Sequence, residues 1–382
     1  MKKLLLLFVS FLFATLAVSA QSKPDVSKFM PDFIKFDKAR SGDAYFTIDR
    51  VLTTSYEDKI TQNWVNNAWV NVDRSIDQWD TNTGTIESVS MVWDTLSGDW
   101  INEMKMFVTF AQNLTDSTLR FLTLDMYMWD NSAWVLFVNS VYTYDSNNFL
   151  VEINSSVNLG GTIMPYIRVV YTNNSVGYPL TEVEENVNFA TLLFENEEMH
   201  IYTYQGGNPK YLTNDLQSEW NGSAWIDTSK TNYTRNSKLK PTVEIESDIY
   251  GGATVLDANK TESVYLAGDD LLSSEIRYWW NTAGTRWDIG GRNTYTYTTF
   301  NKLDVMLMEN YMSGAYVPWL RTTHTYDGME REILEQTEIY VAKGFEIYSR
   351  TTTAYTPSAV GDESPILNGF VLEQNYPNPF NP

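Results

Sequence analysis

The chain has no cysteine. Neither disulfides nor thiolate metal sites can hold it together, so stability must come from burial and backbone pairing. Histidine is nearly absent, with His200 and His324 far apart in the sequence. No nucleophile elbow, phosphate loop or zinc motif accompanies them. Cations are also short, 27 Lys and Arg against 48 Asp and Glu, for a net charge of −21. That balance argues against nucleic acid, whose phosphates demand basic patches, and against an anionic membrane surface. After the first segment no apolar run is long enough to span a bilayer as a helix, so no transmembrane helix is expected in the mature chain. Helical periodicity is missing from residues 46–356. Alternating Tyr, Trp, Thr, Val and Ile, broken by Asn, Asp, Gly and Ser, fill that stretch instead, which is the pattern of strands and turns.

One arrangement returns along the stretch. Trp220 and Trp225 flank Asn221-Gly222-Ser223-Ala224, a spacing that makes the two rings a cross-strand pair around a two-residue turn. Trp64 with Trp69, Trp129 with Trp134, and Tyr311 with Tyr316 repeat it, and Trp93 with Trp100 and Trp280 with Trp287 keep its parity with two more residues between. Weaker copies are read at Leu159/Met164, Phe189/Phe194, Tyr250/Val255 and Tyr340/Phe345. Starting positions about 30 residues apart signal a repeat architecture. The reading is ten hairpins.

Counting from the second aromatic, a cation stands five residues on (Arg74, Lys105, Lys230, Arg292, Arg321), and further aromatics stand eight and ten residues on (Tyr142 and Tyr144, Tyr295 and Tyr297). Strict alternation puts the even offsets on the face of the tryptophan pairs and the cations on the other. His324 falls at the eighth position, where siblings have Tyr, and reads as an ordinary repeat-face residue. Turn formers such as Asp145-Ser-Asn-Asn148 and Asp327-Gly328 follow each second strand, and their side chains are expected to close local Asx turns in preference to binding calcium. The expected fold is all-β: about ten tandem hairpins in a long antiparallel meander, a curled and twisted sheet, with a β-propeller as the alternative. A membrane barrel is a third option, but no strand set shows a consistent apolar face for lipid.

The two ends carry addresses. Met1-Lys2-Lys3, an apolar run through Val18 and then Ser19-Ala20 form a secretory signal peptide, residues 1–20. An entry segment spans 21–45, with Phe46, Thr54 and Tyr56 read as an incomplete opening unit; the array runs to 356 and a linker covers 357–369. Residues 370–382 contain Leu372, Gln374, Asn375, Tyr376, Pro377, Asn378, Pro379 and Phe380. These resemble the opening of the type A C-terminal sorting domain of type IX secretion cargo, found in Bacteroidetes and related bacteria. The resemblance covers some 13 residues, so the sorting domain reads as truncated; it implies the type IX secretion machinery as a partner. Segments such as Tyr142-Thr-Tyr-Asp145 also resemble the tyrosine-aspartate repeats of bacterial shell-forming secreted proteins.

The function expected is therefore an exported, non-enzymatic β-repeat protein, secreted or on the outer cell surface, acting as a structural or adhesive module with a glycan or surface partner. No cofactor or metal is called for. The alternative is a carbohydrate-binding protein whose ligand stacks on Trp64, Trp69, Trp129, Trp134, Trp220, Trp225, Trp280 and Trp287. Carboxylates are abundant, but none recurs in a way that singles out a glycosidase pair.

Overall fold

The structure is a computed structural model; it describes residues 34–36, 45–48, 54–80, 82–113, 118–206, 210–251, 254–266, 271–342 and 344–356. The signal peptide, the linker and the sorting segment lie outside these residues. Among the described residues there is no helix. Two short strands, β1 (Ile34–Phe36) in the entry segment and β2 (Tyr45–Ile48) running past its end, pair with each other. Ten hairpins follow: β3 (Thr54–Val65) with β4 (Ala68–Asp80), β5 (Thr85–Asp94) with β6 (Asp99–Asn113), β7 (Thr118–Asp130) with β8 (Ala133–Tyr144), β9 (Leu150–Leu159) with β10 (Thr162–Asn173), β11 (Pro179–Asn188) with β12 (Leu193–Tyr204), β13 (Leu212–Trp220) with β14 (Trp225–Arg235), β15 (Pro241–Tyr250) with β16 (Thr254–Tyr265), β17 (Leu272–Asn281) with β18 (Arg286–Tyr297), β19 (Leu303–Met312) with β20 (Ala315–Tyr326), and β21 (Glu332–Val341) with β22 (Gly344–Thr356).

The tight turns follow from their residues. Asn66 and Asn67 (φ 51° and 62°), Asn131 and Ser132 (48° and 68°), and Ser313 and Gly314 (52° and 86°) all take left-handed backbone, the pattern of a type I′ turn, which matches the twist of the strands it joins. At the opposite rim the side chain of the first loop residue does the work. Asp145 Oδ1 accepts from the N–H groups of Asn147 and Phe149, at 2.8 and 2.9 Å, and Asp327 Oδ1 does the same for Met329 and Arg331. Asn174 and Asn236 repeat the geometry. The acidic turns are thus closed Asx loops, with one carboxylate oxygen of each spent on its own backbone and, at Asp327, the other paired with Arg331.

Each hairpin pairs with the next, and the last pairs with the first: β22 lies antiparallel to β3 from Ser349↔Asn63 to Thr356↔Tyr56 without a register shift. The twenty strands β3–β22 therefore form a closed antiparallel barrel. This corrects the open, curled meander and removes the propeller, since no four-stranded blade separates from its neighbours. Closure is favoured because an open sheet of this width would leave two unpaired edges. Tyr56, read in sequence as part of an incomplete second strand, instead sits in the first strand of the first hairpin and helps to close the ring.

Three weak copies shift by a residue or two. The cross-strand pairs are Asn158↔Ile163, Val187↔Phe194 and Ile249↔Val255, not those that uniform spacing suggested. Around Phe189 the reason is a four-residue loop, closed by Leu192 N–H donating to Asn188 O at 2.7 Å. With the corrected start, Arg168 falls five residues after Ile163 and takes the cation position.

A β-bulge recurs at one place in every second strand, leaving Val72, Glu103, Phe137, Tyr166, Glu197, Thr228, Ala258, Gly290, Trp319 and Tyr348 unpaired, each three residues after the second member of the cross-strand pair. One extra residue reverses the alternation beyond it. Arg74 is consequently opposite Ile60, on the face of Trp64, while Trp79 is opposite Ser55, on the other. The sequence assignment of faces is thus inverted: the cations share the face of the paired aromatics, and the later tyrosines occupy the opposite one. In the half of the barrel away from the tight turns, the tyrosine face is the more buried. Trp79, Ile86, Met106, Val108, Phe110, Phe121 and Leu124 form one core cluster there, and Leu150 and Tyr171 form another. On the opposite face at that level Thr143, Thr203, Thr234, Thr296 and Thr325 are exposed. Side chains converge on the concave side of a barrel, so this burial assigns the tyrosine face to the interior.

Candidate functional site

The eight tryptophans singled out by sequence do meet in pairs. Centroids of Trp64/Trp69, Trp129/Trp134, Trp220/Trp225 and Trp280/Trp287 are 5.0, 4.9, 5.2 and 5.1 Å apart, with interplanar angles of 65–70°. Trp93/Trp100, Tyr311/Tyr316 and Tyr340/Phe345 share the edge-to-face geometry, the arrangement that the ring quadrupoles favour. The pairs form a belt around the outer face near the tight-turn rim.

Six of the cations, Lys105, Arg168, Lys260, Arg292, Arg321 and Arg350, reach forward over one strand to the next hairpin, whereas Arg74 forks back onto Asp58 of its own hairpin at 2.8 and 2.6 Å. Arg292 lies 4.2 Å from the Tyr316 centroid and Arg321 4.3 Å from Phe345. Lys105 and Lys260 lie 5.6 and 5.5 Å from Trp134 and Trp287. Arg350 of the last hairpin lies 4.2 Å from Trp69 of the first, so the barrel closes through side chains as it does through backbone. A second contact locks each reach, at the residue two before the first aromatic. Arg292 binds Glu309 at 2.6 Å, Arg321 binds Glu338 at 2.5 Å, and Arg168 binds Glu185. Lys105 and Lys260 meet a tyrosine at that position instead, Tyr127 at 4.8 Å and Tyr278 at 4.0 Å, and Lys260 also donates to Glu262 at 2.8 Å. The choice of residue at that position suits the cation, because a planar guanidinium fits a carboxylate in a fork and a compact ammonium sits readily on a ring face. At the closing seam Arg350 Nε donates to Gln62 Oε1 at 2.8 Å, an amide where the other arginine seams have a carboxylate. Burial lowers the Arg350 pKa.

The inner face carries most of the perturbed ionisable groups. His200 Nδ1 is 2.9 Å from Asp215 and Nε2 is 2.8 Å from Glu198. Burial alone would lower its pKa; the hydrogen bonds with the two carboxylates outweigh it and push the imidazole up to about 10. The ring stacks at 11° on Tyr202, whose hydroxyl donates to Glu182 and whose pKa is raised, first by burial and then by Glu182. His324 Nδ1 is 2.9 Å from Glu332 and 3.9 Å from Glu335. These three are the one candidate metal-ligating group among the described residues, with donor atoms within 4.8 Å of one another. Burial lowers the His324 pKa, but the Glu332 hydrogen bond reverses that and raises it, which favours an imidazolium in an ion pair over the neutral ring a metal requires.

At the rim away from the tight turns a ring of tyrosine hydroxyls donates to backbone carbonyls: Tyr204 to Pro179, Tyr297 to Leu272, Tyr326 to Leu303 and Tyr355 to Glu332, each at 2.8 Å. A shallow cleft of about 550 Å³ lies there between Asp145, Phe149, Tyr171 and Asn174. At the opposite rim the inner wall is open and partly apolar, with Val65, Met128, Val135, Leu256 and Trp279 more than 40% exposed. Sequence reasoning missed Trp279, Trp319 and Tyr348, each 49% exposed, because they stand outside the paired positions.

No protein-family model matches the chain, nor does any characterised protein sequence. Among solved structures, the chain is similar to a porin-like protein from Bacteroides uniformis, at 9% identity over 78% of this chain and 95% of that one, with a TM-score of 0.31. A second likeness is a protein of unknown function from Bacteroides fragilis, at 15% identity over 47% of this chain and 96% of that one, with a TM-score of 0.18.

Proposed function

We propose that the protein is an exported, non-catalytic barrel that works at the outer cell surface or in the medium as a structural or adhesive module. The observation that carries this reading is the seam between hairpins. Six outer-face cations are committed to a ring of the next hairpin and, in the arginine seams at Arg168, Arg292 and Arg321, to a carboxylate there as well. That recurring use of charge serves to hold a wall closed. The same seams favour a barrel bathed in water on both sides, because a lipid-facing band tolerates no charged residue in repeat after repeat. The signal peptide and the sorting segment supply the export half of the reading, with the type IX machinery as the partner in delivery. In this account the paired tryptophans are clasps, each worth up to about 1 kcal/mol to its hairpin.

The test is twofold. The full chain, with and without residues 370–382, is expressed in a type IX-competent host, and intact cells and medium are assayed by protease shaving and immunodetection. Beads coated with the purified full chain are then scored for attachment to cells and to polysaccharide films. Surface or medium accumulation together with bead attachment supports the reading; retention in the periplasm, or beads that attach no better than albumin-coated ones, overturns it.

A further inference from the structure

We propose that Trp279, Trp319 and Tyr348 form a saccharide-binding strip on the inner wall of the open rim, and that its ligand is an uncharged β-1,4-linked polysaccharide. The proposal rests on the adhesive reading and names its partner. Trp319 and Tyr348 occupy the bulge of successive hairpins. The preceding hairpin has Gly290 at its bulge, and a Cβ there would meet the Trp279 ring at 2.8 Å. The glycine leaves room for an indole from the neighbouring strand to lie where a bulge side chain would stand. Three rings thus occupy equivalent places in three adjacent hairpins. Two strands separate one place from the next, a pitch of roughly 10 Å.

Three further observations select the ligand. The paired tryptophans have their rings packed edge to face, several with a cation on the second ring, whereas Trp279, Trp319 and Tyr348 are each 49% exposed with no aromatic or cation partner among the described residues. Exposed ring faces on an inner wall suit the flat C–H face of an equatorially substituted hexose. In a β-1,4-linked chain alternate sugars are turned over, so the same face returns every second residue, a repeat that matches the hairpin pitch. Arg277, Asn310 and Asp288 lie on the same face beside the strip and supply hydrogen bonds to hydroxyls. The net charge of −21 selects against an anionic polymer.

The experiment titrates the purified full chain with cellohexaose and with chitohexaose, following tryptophan fluorescence and calorimetry. Saturable binding of either is expected, weakened at least tenfold in Trp319→Ala and in Trp279→Ala and at least threefold in Tyr348→Ala. Trp225→Ala, a paired ring, is expected to keep the affinity within twofold while lowering the melting temperature. Circular dichroism checks each variant, and Trp319→Ala alone decides the matter if Trp279→Ala fails to fold. No binding of either hexasaccharide, or binding that survives Trp319→Ala and Tyr348→Ala, overturns the strip. If coated beads still attach to surfaces in that case, the adhesive reading stands and only the strip falls.

Discussion

The amide at the closing seam gives a sharp test of the seam logic. Arg168, Arg292 and Arg321 each meet a glutamate on the next hairpin, but Arg350 meets Gln62. Gln62→Glu should install the missing ion pair and stabilise the barrel. A charge-assisted hydrogen bond is about twice as strong as a neutral one, which makes the exchange worth about 1 kcal/mol where both partners are half-buried. Gln62 also donates to Asn71 Oδ1 at 2.7 Å; a carboxylate would lose that bond, but the Asn71 amide can turn to donate instead. The Glu185↔Asn196 pair already places the same two residue types opposite each other. With about 2.1 cal/mol/K of unfolding entropy per residue over roughly 300 residues, 1 kcal/mol corresponds to about 1.5 °C. Differential scanning calorimetry at pH 7 should read that increase. The new glutamate, with its folded pKa depressed by Arg350, contributes above its unfolded pKa and loses the contribution as pH falls through the folded one. The same substitution on an Arg350→Met background should bring no gain. A gain that persists without Arg350, or none with it, refutes the seam assignment.

Loss of the His200 charge should act in the opposite pH direction. Its folded pKa of about 10 lies above the ordinary 6.5, so its stabilisation is complete below pH 6.5 and disappears as pH rises towards 10; chemical denaturation should fall across that window in the wild type and be flatter in His200→Asn, and the wild-type ring protons should not titrate between pH 6 and 8. Tyr326→Phe removes one hydroxyl bond to the Leu303 carbonyl and should lower stability by about 1 kcal/mol in urea titrations. Gly291→Ala would set a Cβ 2.5 Å from the Glu309 carbonyl oxygen, forcing β18 and β19 apart; a loss of about 1–3 kcal/mol is expected, and an unchanged melting temperature would contradict the close approach of those strands.

Much of this architecture was legible in the residues. The Trp220/Trp225 spacing and its siblings set the hairpins, and Asx and Gly chemistry marked the loops at both rims. The faces were not legible, and the reason is specific. Val72, Glu103, Thr228, Gly290 and Trp319 share no chemistry, yet each is the unpaired residue of a bulge. A bulge is set by how neighbouring strands twist and shear, which no single strand encodes, and one such residue inverts every face beyond it. Closure was hidden for a related reason: the pairing of β22 with β3 joins segments about 290 residues apart, and nothing in either strand marks it as an end. The seam, by contrast, left a trace in the recurring cation at the fifth position, although its partners emerged only in three dimensions. The strip at the rim went unseen because Trp319 and Tyr348 stand off the period that the paired aromatics define.

The pairing of Tyr56 with Thr356 also fixes how the barrel can be tethered. Both ends of the array leave from the rim that carries the Asx loops, side by side, so anything joined to either end attaches at that rim. A molecule held this way presents its other mouth, with Trp279, Trp319 and Tyr348, away from its anchor, like a cup held by its base. Adjacent ends also make the choice of first strand arbitrary: a chain restarted at another Asx loop, with Thr356 linked to Thr54, would trace the same wall in rotated order.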